Sequence, residues 1–262
     1  MDLNLSFLRK FYTKKETNEK AKIFFHQGWT DIINCLPLIN YYSKSYDELE
    51  LIIRKDSKDL IDFYISQFDN VKPIYLDKSI LDSNSKTIRK ISGKKNLLFF
   101  GGHDYLRTDN NKNSFALNPE KFFVEKFYTS YDINYIERVN SFNLKRNLKL
   151  EESTYKKVLG NYKDKYIIVH EDTKRGLSII PESKNIRCIN LNGASSIFFD
   201  YIKILENAKS IYLIDSVWAA ICYLLDSKYQ LLRNVEVNVK CLRGYKEMFL
   251  EPIELANWRV TQ

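Results

Sequence analysis

The sequence lacks the common signatures of nucleotide and hydrolytic chemistry. It has no Walker A loop and no G-x-S-x-G elbow. Both are local motifs that their chemistry requires, so a P-loop NTPase and an α/β-hydrolase are poorly supported. No G-x-G-x-x-G follows the first apolar segment, which weighs against a nicotinamide-dependent dehydrogenase. No D-x-D triplet occurs, which argues against a metal-bridged nucleotide-sugar site. None of the four cysteines forms a C-x-x-C pair. The N-terminus is charged and has no apolar h-region of a secretory signal. The longest apolar run, Val217–Leu225, is far shorter than the roughly 20 residues needed to span a bilayer. No low-complexity tract or short-period repeat is visible.

What remains is a basic, aromatic-rich chain. The net charge is +8 and the pI about 9.1, carried mostly by lysine, with 44% hydrophobic and 14% aromatic residues among 262. That composition supports one large core or two smaller ones. The basic residues are spread along the chain, with no zinc-finger, RNP or basic-helix pattern. A phosphate-bearing small molecule is therefore favoured over nucleic acid. Cys35, Cys188 and Cys222 sit in apolar surroundings, and Cys241 stands apart from them. They read as reduced structural thiols of a soluble cytoplasmic protein.

Apolar segments alternate with helical spacing along the whole chain. Strands are expected at Ile23–Phe25, Glu50–Ile53, Val71–Leu76 and Leu97–Phe100, with helices from Ile32, over Leu60–Phe68 and over Pro119–Tyr128. Ile80–Ile91 is a weaker helix. The segment Arg138–Leu150 reads as a crossing, and a helix follows over Glu151–Leu159. The alternation then resumes, with strands at Tyr166–Val169, Cys188–Leu191 and Ser210–Ile214 and helices over Ile197–Asn207 and Val217–Leu225. Ser178–Ile180 is a further short extended piece, and Tyr229–Val239 reads as a last strand or hairpin. Such alternation argues for parallel α/β sheets. The expected fold is two Rossmann-like domains, residues 1–145 and 146–262, facing a central cleft. In the first segment, Met1–Lys22, the residues Leu5, Leu8 and Tyr12 share one helical face. It fits either a helix touching a membrane surface or a lipid-linked substrate, or one packed on the body of the protein.

The chain has only three histidines, and His26, His103 and His170 each follow the carboxyl end of an expected strand. Ligands of open α/β sheets bind there. The histidine spacing matches no zinc motif and each His follows its own strand, so no metal is expected; no cofactor is expected beside the substrates. The stretch Lys163–Gly176 runs from a buried strand straight into His170, Glu171, Asp172, Arg175 and Gly176. His170 and Arg175 can donate to phosphate; alternatively Glu171 or Asp172 caps a turn and Arg175 is solvated. After the first strand come His26, Gln27, Gly28, Trp29, Thr30 and Asp31. Gly28 allows positive φ or close approach of a ligand, and Thr30 or Asp31 suits a helix N-cap. Asp215 and Ser216 stand at the start of a later helix, as a cap or as a phosphate grip.

The turn and helix G-W-T-D-I-I-N-C-L-P-L-I, Gly28–Ile39, resembles the first loop and helix of the heptosyltransferase group of bacterial glycosyltransferases. That pattern has a Gly, an Asp at the helix start and a Leu-Pro one to two turns on. It departs from the family in placing Trp29 and Thr30 between Gly28 and Asp31. His170–Gly176 is similar to the His-and-Arg loop of fucosyltransferase-like members, and Ile214–Ser216 to a later strand–helix start near the donor phosphates. The resemblance implies a GT-B-like fold and a metal-independent glycosyltransferase, inverting in outcome. It would transfer sugar from a nucleotide-sugar donor to a glycan or lipid-linked acceptor of the cell surface. On this reading Asp31 is the base, with His103 the next candidate. His170, Arg175, Gly176, Asp215 and Ser216 bind the donor, and His26, Gly28 and Thr30 form the phosphate and acceptor loop. Two other classes stay open: a non-catalytic nucleotide or sugar binder on the same fold, and another α/β enzyme such as an epimerase or hydrolase.

Overall fold

The computed structural model describes residues 20–25, 28–77, 97–100, 123–129, 131–173, 176–179, 181, 185–192, 194–241 and 255–261. They form two parallel sheets. The first holds β1 (Lys20–Phe25), β2 (Glu48–Arg54), β3 (Val71–Leu76) and β4 (Leu97–Phe100), in the order β3-β2-β1-β4. The second holds β5 (Ile167–His170), β6 (Cys188–Asn190), β7 (Ser210–Ile214), β8 (Glu236–Lys240) and β9 (Trp258–Thr261), in the order β6-β5-β7-β8-β9. Every strand pair is parallel. The central strands are apolar because helices cover both faces of a parallel sheet. Ile23, Phe24, Phe25, Leu51, Ile52 and Ile53 are all buried.

The helices are α1 (Trp29–Ser43), α2 (Lys58–Ile65), α3 (Phe123–Thr129), α4 (Glu137–Asn140), α5 (Leu148–Leu159), α6 (Ile202–Asn207) and α7 (Val217–Tyr229). α1, from the first sheet, packs directly on α7, from the second. One hydrophobic cluster therefore runs through both sheets, from Ile23 and Leu36 to Ile211 and Leu224. The expected crossing segment is stitched to both sides of this contact. Asn40 Nδ2 donates to the Ser141 carbonyl at 2.7 Å, Lys228 Nζ to the Asn140 carbonyl at 2.7 Å, and the Leu144 N–H to the Tyr229 hydroxyl at 2.8 Å.

At the centre of the crossing lies Arg138, 1% exposed. Its Nη2 donates to Asn34 Oδ1 on α1 at 2.7 Å and its Nη1 to the Tyr135 hydroxyl at 2.7 Å. The guanidinium carbon stands 4.2 Å from the ring centroid of Tyr223 on α7. No carboxylate pairs with it among the described residues, and Nε has no hydrogen-bond partner. A buried charge is costly unless hydrogen bonds and π-faces replace its water. Here a phenol, an amide and an aromatic face do so.

Several sequence expectations need correction. Of the two readings of Tyr229–Val239, the strand is present as β8 and the hairpin is not. α7 continues to Tyr229, Gln230 turns the chain at φ 54°, and β8 runs parallel to β7. The tail adds a strand, β9, held by Trp258 Nε1 donating to the buried Asp226 carboxylate at 2.8 Å. A C-terminal stretch this short carries too little pattern to show a strand. Ser178 and Ile179 form no strand either. Only Leu177 pairs back, bridging Asp172 across a turn. Cys188 is exposed rather than in apolar surroundings, because β6 is an edge strand, whereas Cys35 and Cys222 are buried. Lys20–Lys22 of the expected terminal helix belong to β1, and the rest of that segment and the Ile80–Ile91 helix lie outside the described residues. Among the described residues no helix is long and apolar enough to cross a membrane.

Arg138→Ala should cost about 3 kcal/mol or more in urea denaturation, because it opens a cavity and strands the buried Asn34 acceptor. Arg138→Met, which keeps the volume against Tyr223, should cost clearly less. Equal losses in the two variants would remove packing from the account.

Candidate functional site

In each sheet the chain order reverses between two neighbouring strands. In the second sheet these are β5 and β7. β6 is added on one side of β5 and β7 on the other. Loops that leave in opposite directions open a crevice at the carboxyl ends of such strands. His170 closes β5, in register with Leu213 of β7. Its Nδ1 lies 3.0 Å from Ser216 Oγ. The bond fixes the imidazole plane and links its tautomer to the hydroxyl rotor. Either Nδ1–H donates to Oγ, or Oγ–H donates to Nδ1 and the proton sits on Nε2. Protonated imidazole donates from both nitrogens.

Ser216 is the N-cap residue of α7, extended at φ −149° and 3% exposed, yet its side chain makes no capping bond. The sequence offered capping as its alternative role; the hydroxyl turns to His170 instead. Asp215, 1% exposed, precedes it, and its N–H donates to the Lys240 carbonyl of β8 at 3.1 Å. Burial first, and Asp215 second, push the Cys241 thiol above its ordinary pKa.

The loop after β5 folds back on itself. Asp172 and Leu177 exchange two backbone hydrogen bonds, of 2.9 and 3.0 Å. Gly176 takes φ 68° to close this turn, and an added Cβ would meet nothing within 4 Å. Its glycine requirement is therefore conformational, not steric. Glu171 N–H reaches Asn192 Oδ1, in the loop after β6, at 3.4 Å. Arg175 lies outside the described residues.

In the first sheet the reversal falls between β1 and β4, which pair through Phe25 and Phe100. His26 and His103, which follow these strands in sequence, lie outside the described residues. Gly28 is the N-cap of α1, at φ −65° and ψ 175°. It uses no positive φ, and the helix is capped by neither Thr30 nor Asp31, which stand inside its first turn. The Asp31 and Ile32 N–H groups both donate to the Gly28 carbonyl at 3.1 Å. The space beside Gly28 is open, with nothing within 4 Å of an added Cβ. Asp31 still complements the helix dipole from the first turn. One turn on, Asn34 Nδ2 donates to the Thr30 carbonyl at 2.9 Å, so Arg138 holds this first turn through Asn34.

The starts of α1 and α7 are joined by aromatics. Trp29, the first residue of α1, meets Phe198 edge-on with centroids 5.4 Å apart. Phe198 meets Trp218, the second residue of α7, at 5.2 Å. Through Phe198 the structure links Trp29, which stands between Gly28 and Thr30 in the chain, to Trp218, two residues after Ser216. The sequence reading missed Phe198, Trp218 and Arg138, since these contacts join residues far apart in the chain. Trp29 carried a visible signal, as the bulky departure from the resembled turn. Among the described residues no group of three or more His, Cys, Asp or Glu side chains could hold a metal ion.

The fold is of the α/β class with parallel sheets. No protein-family model matches the chain. No curated protein matches it either. In structure it is similar to a glycosyl transferase family 9 protein from Veillonella parvula DSM 2008. The TM-score is 0.56 at 12% identity, over 93% of this chain and 86% of that one. At that identity the likeness is one of fold.

The His170–Ser216 contact can be weighed by a double-mutant cycle. His170→Ala and Ser216→Ala should be coupled by about 0.5–1.5 kcal/mol in chemical denaturation. Additive costs would mean that the hydroxyl serves α7 alone.

Proposed function

We propose that this chain is a metal-independent glycosyltransferase that moves a sugar from a nucleotide-sugar donor to a hydroxyl of a glycan or lipid-linked acceptor. The observation that carries the reading is the convergence of two helix starts on one aromatic bridge, each at the carboxyl edge of its own parallel sheet. Two such edges could hold the donor and the acceptor of glycosyl transfer in line. The likeness of fold to a glycosyl transferase family 9 protein supports it. In this reading residues 1–145 serve the acceptor and residues 146–262 the donor, with the reacting groups in a cleft between them. The protein works in the cytoplasm on cell-surface polysaccharide, with peripheral contact to the membrane and no cofactor.

The Asp31 carboxylate takes the proton of the acceptor hydroxyl. The oxygen then attacks the anomeric carbon opposite the leaving group, and the carbon–phosphate-oxygen bond breaks with inversion. The diphosphate gains charge as it leaves. His170, oriented by Ser216, Arg175 and the first N–H groups of α7 stabilise that charge without metal. Asp215 fixes the approach of β7 to α7, and Gly176 shapes the loop carrying Arg175. The open space beside Gly28 admits the acceptor, with Thr30 and His26, two residues either side of it in the sequence, as further acceptor-loop residues and His103 as the alternative base.

The test begins with thermal shift of the wild-type protein against UDP, GDP, CDP and ADP, followed by turnover with the sugar donors of whichever nucleotide binds. Asp31→Asn should keep diphosphate binding, change stability by less than about 1 kcal/mol and lose roughly a hundredfold or more in turnover. Diphosphate binding with no turnover of any donor by the wild-type protein would favour a non-catalytic binder. Unchanged turnover in Asp31→Asn would move the base to His103.

A further inference from the structure

The loop after β6 is where the second sheet reaches across to the first. Ser196 Oγ donates to Asp59 on α2 at 3.0 Å, and Phe199 stacks on Phe63 of the same helix with centroids 6.1 Å apart. Between these two anchors the backbone makes a γ-turn. The Phe199 N–H donates to the Ile197 carbonyl at 2.7 Å, and Phe198 between them takes φ 61° and ψ −46°. This hand of γ-turn is rare and strained for a residue with a side chain. Strain of that kind persists only where the surroundings over-determine it, and it gathers at functional sites. Here the surroundings do so from several directions. The Phe198 N–H donates to the Ser195 carbonyl at 3.3 Å, and its carbonyl accepts from the Tyr201 N–H at 3.1 Å. The residue is 9% exposed, and its ring meets both Trp29 and Trp218 edge-on. Trp29 lies two residues before Asp31, and Trp218 two residues after Ser216. Relaxation of Phe198 to negative φ would redirect its Cα–Cβ bond and withdraw the ring from between the two helices.

We propose that Phe198 is a positioning residue. Its strained turn holds one ring between the first turns of α1 and α7, and so sets the separation between the Asp31 side and the His170–Ser216 side. The bridge itself follows from the contacts above; its effect on sugar transfer rests on the glycosyltransferase reading.

The experiment has two arms. In the first, thermal unfolding is measured for Trp29→Ala in the wild-type and in the Phe198→Gly background. Glycine takes φ 61° without strain, so Phe198→Gly removes the ring and leaves the turn intact. At least half of the melting-temperature loss caused by Trp29→Ala should vanish in that background. An equal loss in both backgrounds overturns the bridge. If Phe198→Gly does not fold, Phe198→Leu takes its place with the same criterion. In the second arm, turnover of the folded Phe198 variant should fall at least about tenfold, since misplacement of reacting groups is costly. Its affinity for the nucleoside diphosphate should stay within about threefold, because His170 and Ser216 keep their contact. Turnover within twofold of wild type would overturn the positioning role. A wild-type protein with no turnover on any sugar donor would sink the glycosyltransferase reading, and the Trp29 cycle would then decide the bridge alone.

Discussion

The contact between α1 and α7 governs this molecule, and the Arg138 guanidinium is what makes that contact specific. Two apolar helices can slide or rotate against each other at small cost, because hydrophobic attraction has no direction. A buried cation cannot tolerate such slippage. Arg138 must keep Asn34 Oδ1, the Tyr135 hydroxyl and the Tyr223 face at once, or stand desolvated with nothing in place of water. Its three partners come from α1, the turn just before α4, and α7. One side chain thereby fixes the relative placement of both sheets, since each helix is continuous with a strand of its own sheet.

That placement has a geometric consequence. α1 leaves the carboxyl end of β1 and α7 leaves the carboxyl end of β7. The two helices pack together, and Phe198 joins Trp29 of one to Trp218 of the other near their starts. Each helix start carries a positive partial charge of about half a unit. Two of them near one another, in a protein of net charge +8, favour a ligand with concentrated negative charge. In the proposed reading the leaving diphosphate, rather than the sugar, is the group that this field would stabilise. His170 adds a ring nitrogen held 3.0 Å from the Ser216 hydroxyl.

The parallel sheets were legible in the sequence because their causes are local. Residues 23–25, 51–53 and 167–169 are short apolar runs within an alternation of strand-like and helix-like segments, which fits strands buried on both faces. His170 at a strand end and Ser216 at a helix start were readable for the same reason. Their mutual contact at 3.0 Å was not, since it depends on β5 and β7 being neighbours. Gly28 shows the limit of reading a residue type. Glycine permits positive φ, but here the backbone is in an ordinary extended conformation and the open space alone distinguishes the position. Phe198 is the opposite case. Nothing about a Phe-Phe pair in an apolar stretch predicts left-handed backbone, and the expected helix Ile197–Asn207 would have forbidden it. The helix instead begins at Ile202, after the γ-turn and a 3₁₀ turn over Phe199–Tyr201.

This difference between local and long-range causes bears on how the site keeps its shape. Helix starts are positions where backbone donors lack internal partners, so their direction matters more than the side chains around them. In α1 the first turn is held from within, by Asn34 bonding the Thr30 carbonyl, and from outside, by Arg138 bonding Asn34. In α7 the first turn is held by Trp218, buried against Phe198 and Tyr201. Neither arrangement uses a side-chain cap. A capping hydroxyl or carboxylate would occupy the N–H groups that a bound anion needs. At Gly28 there is no side chain to do so, and at Ser216 the hydroxyl is drawn away to His170. Both helix starts are thus packed against residues from elsewhere in the chain and uncapped by their own N-cap side chains.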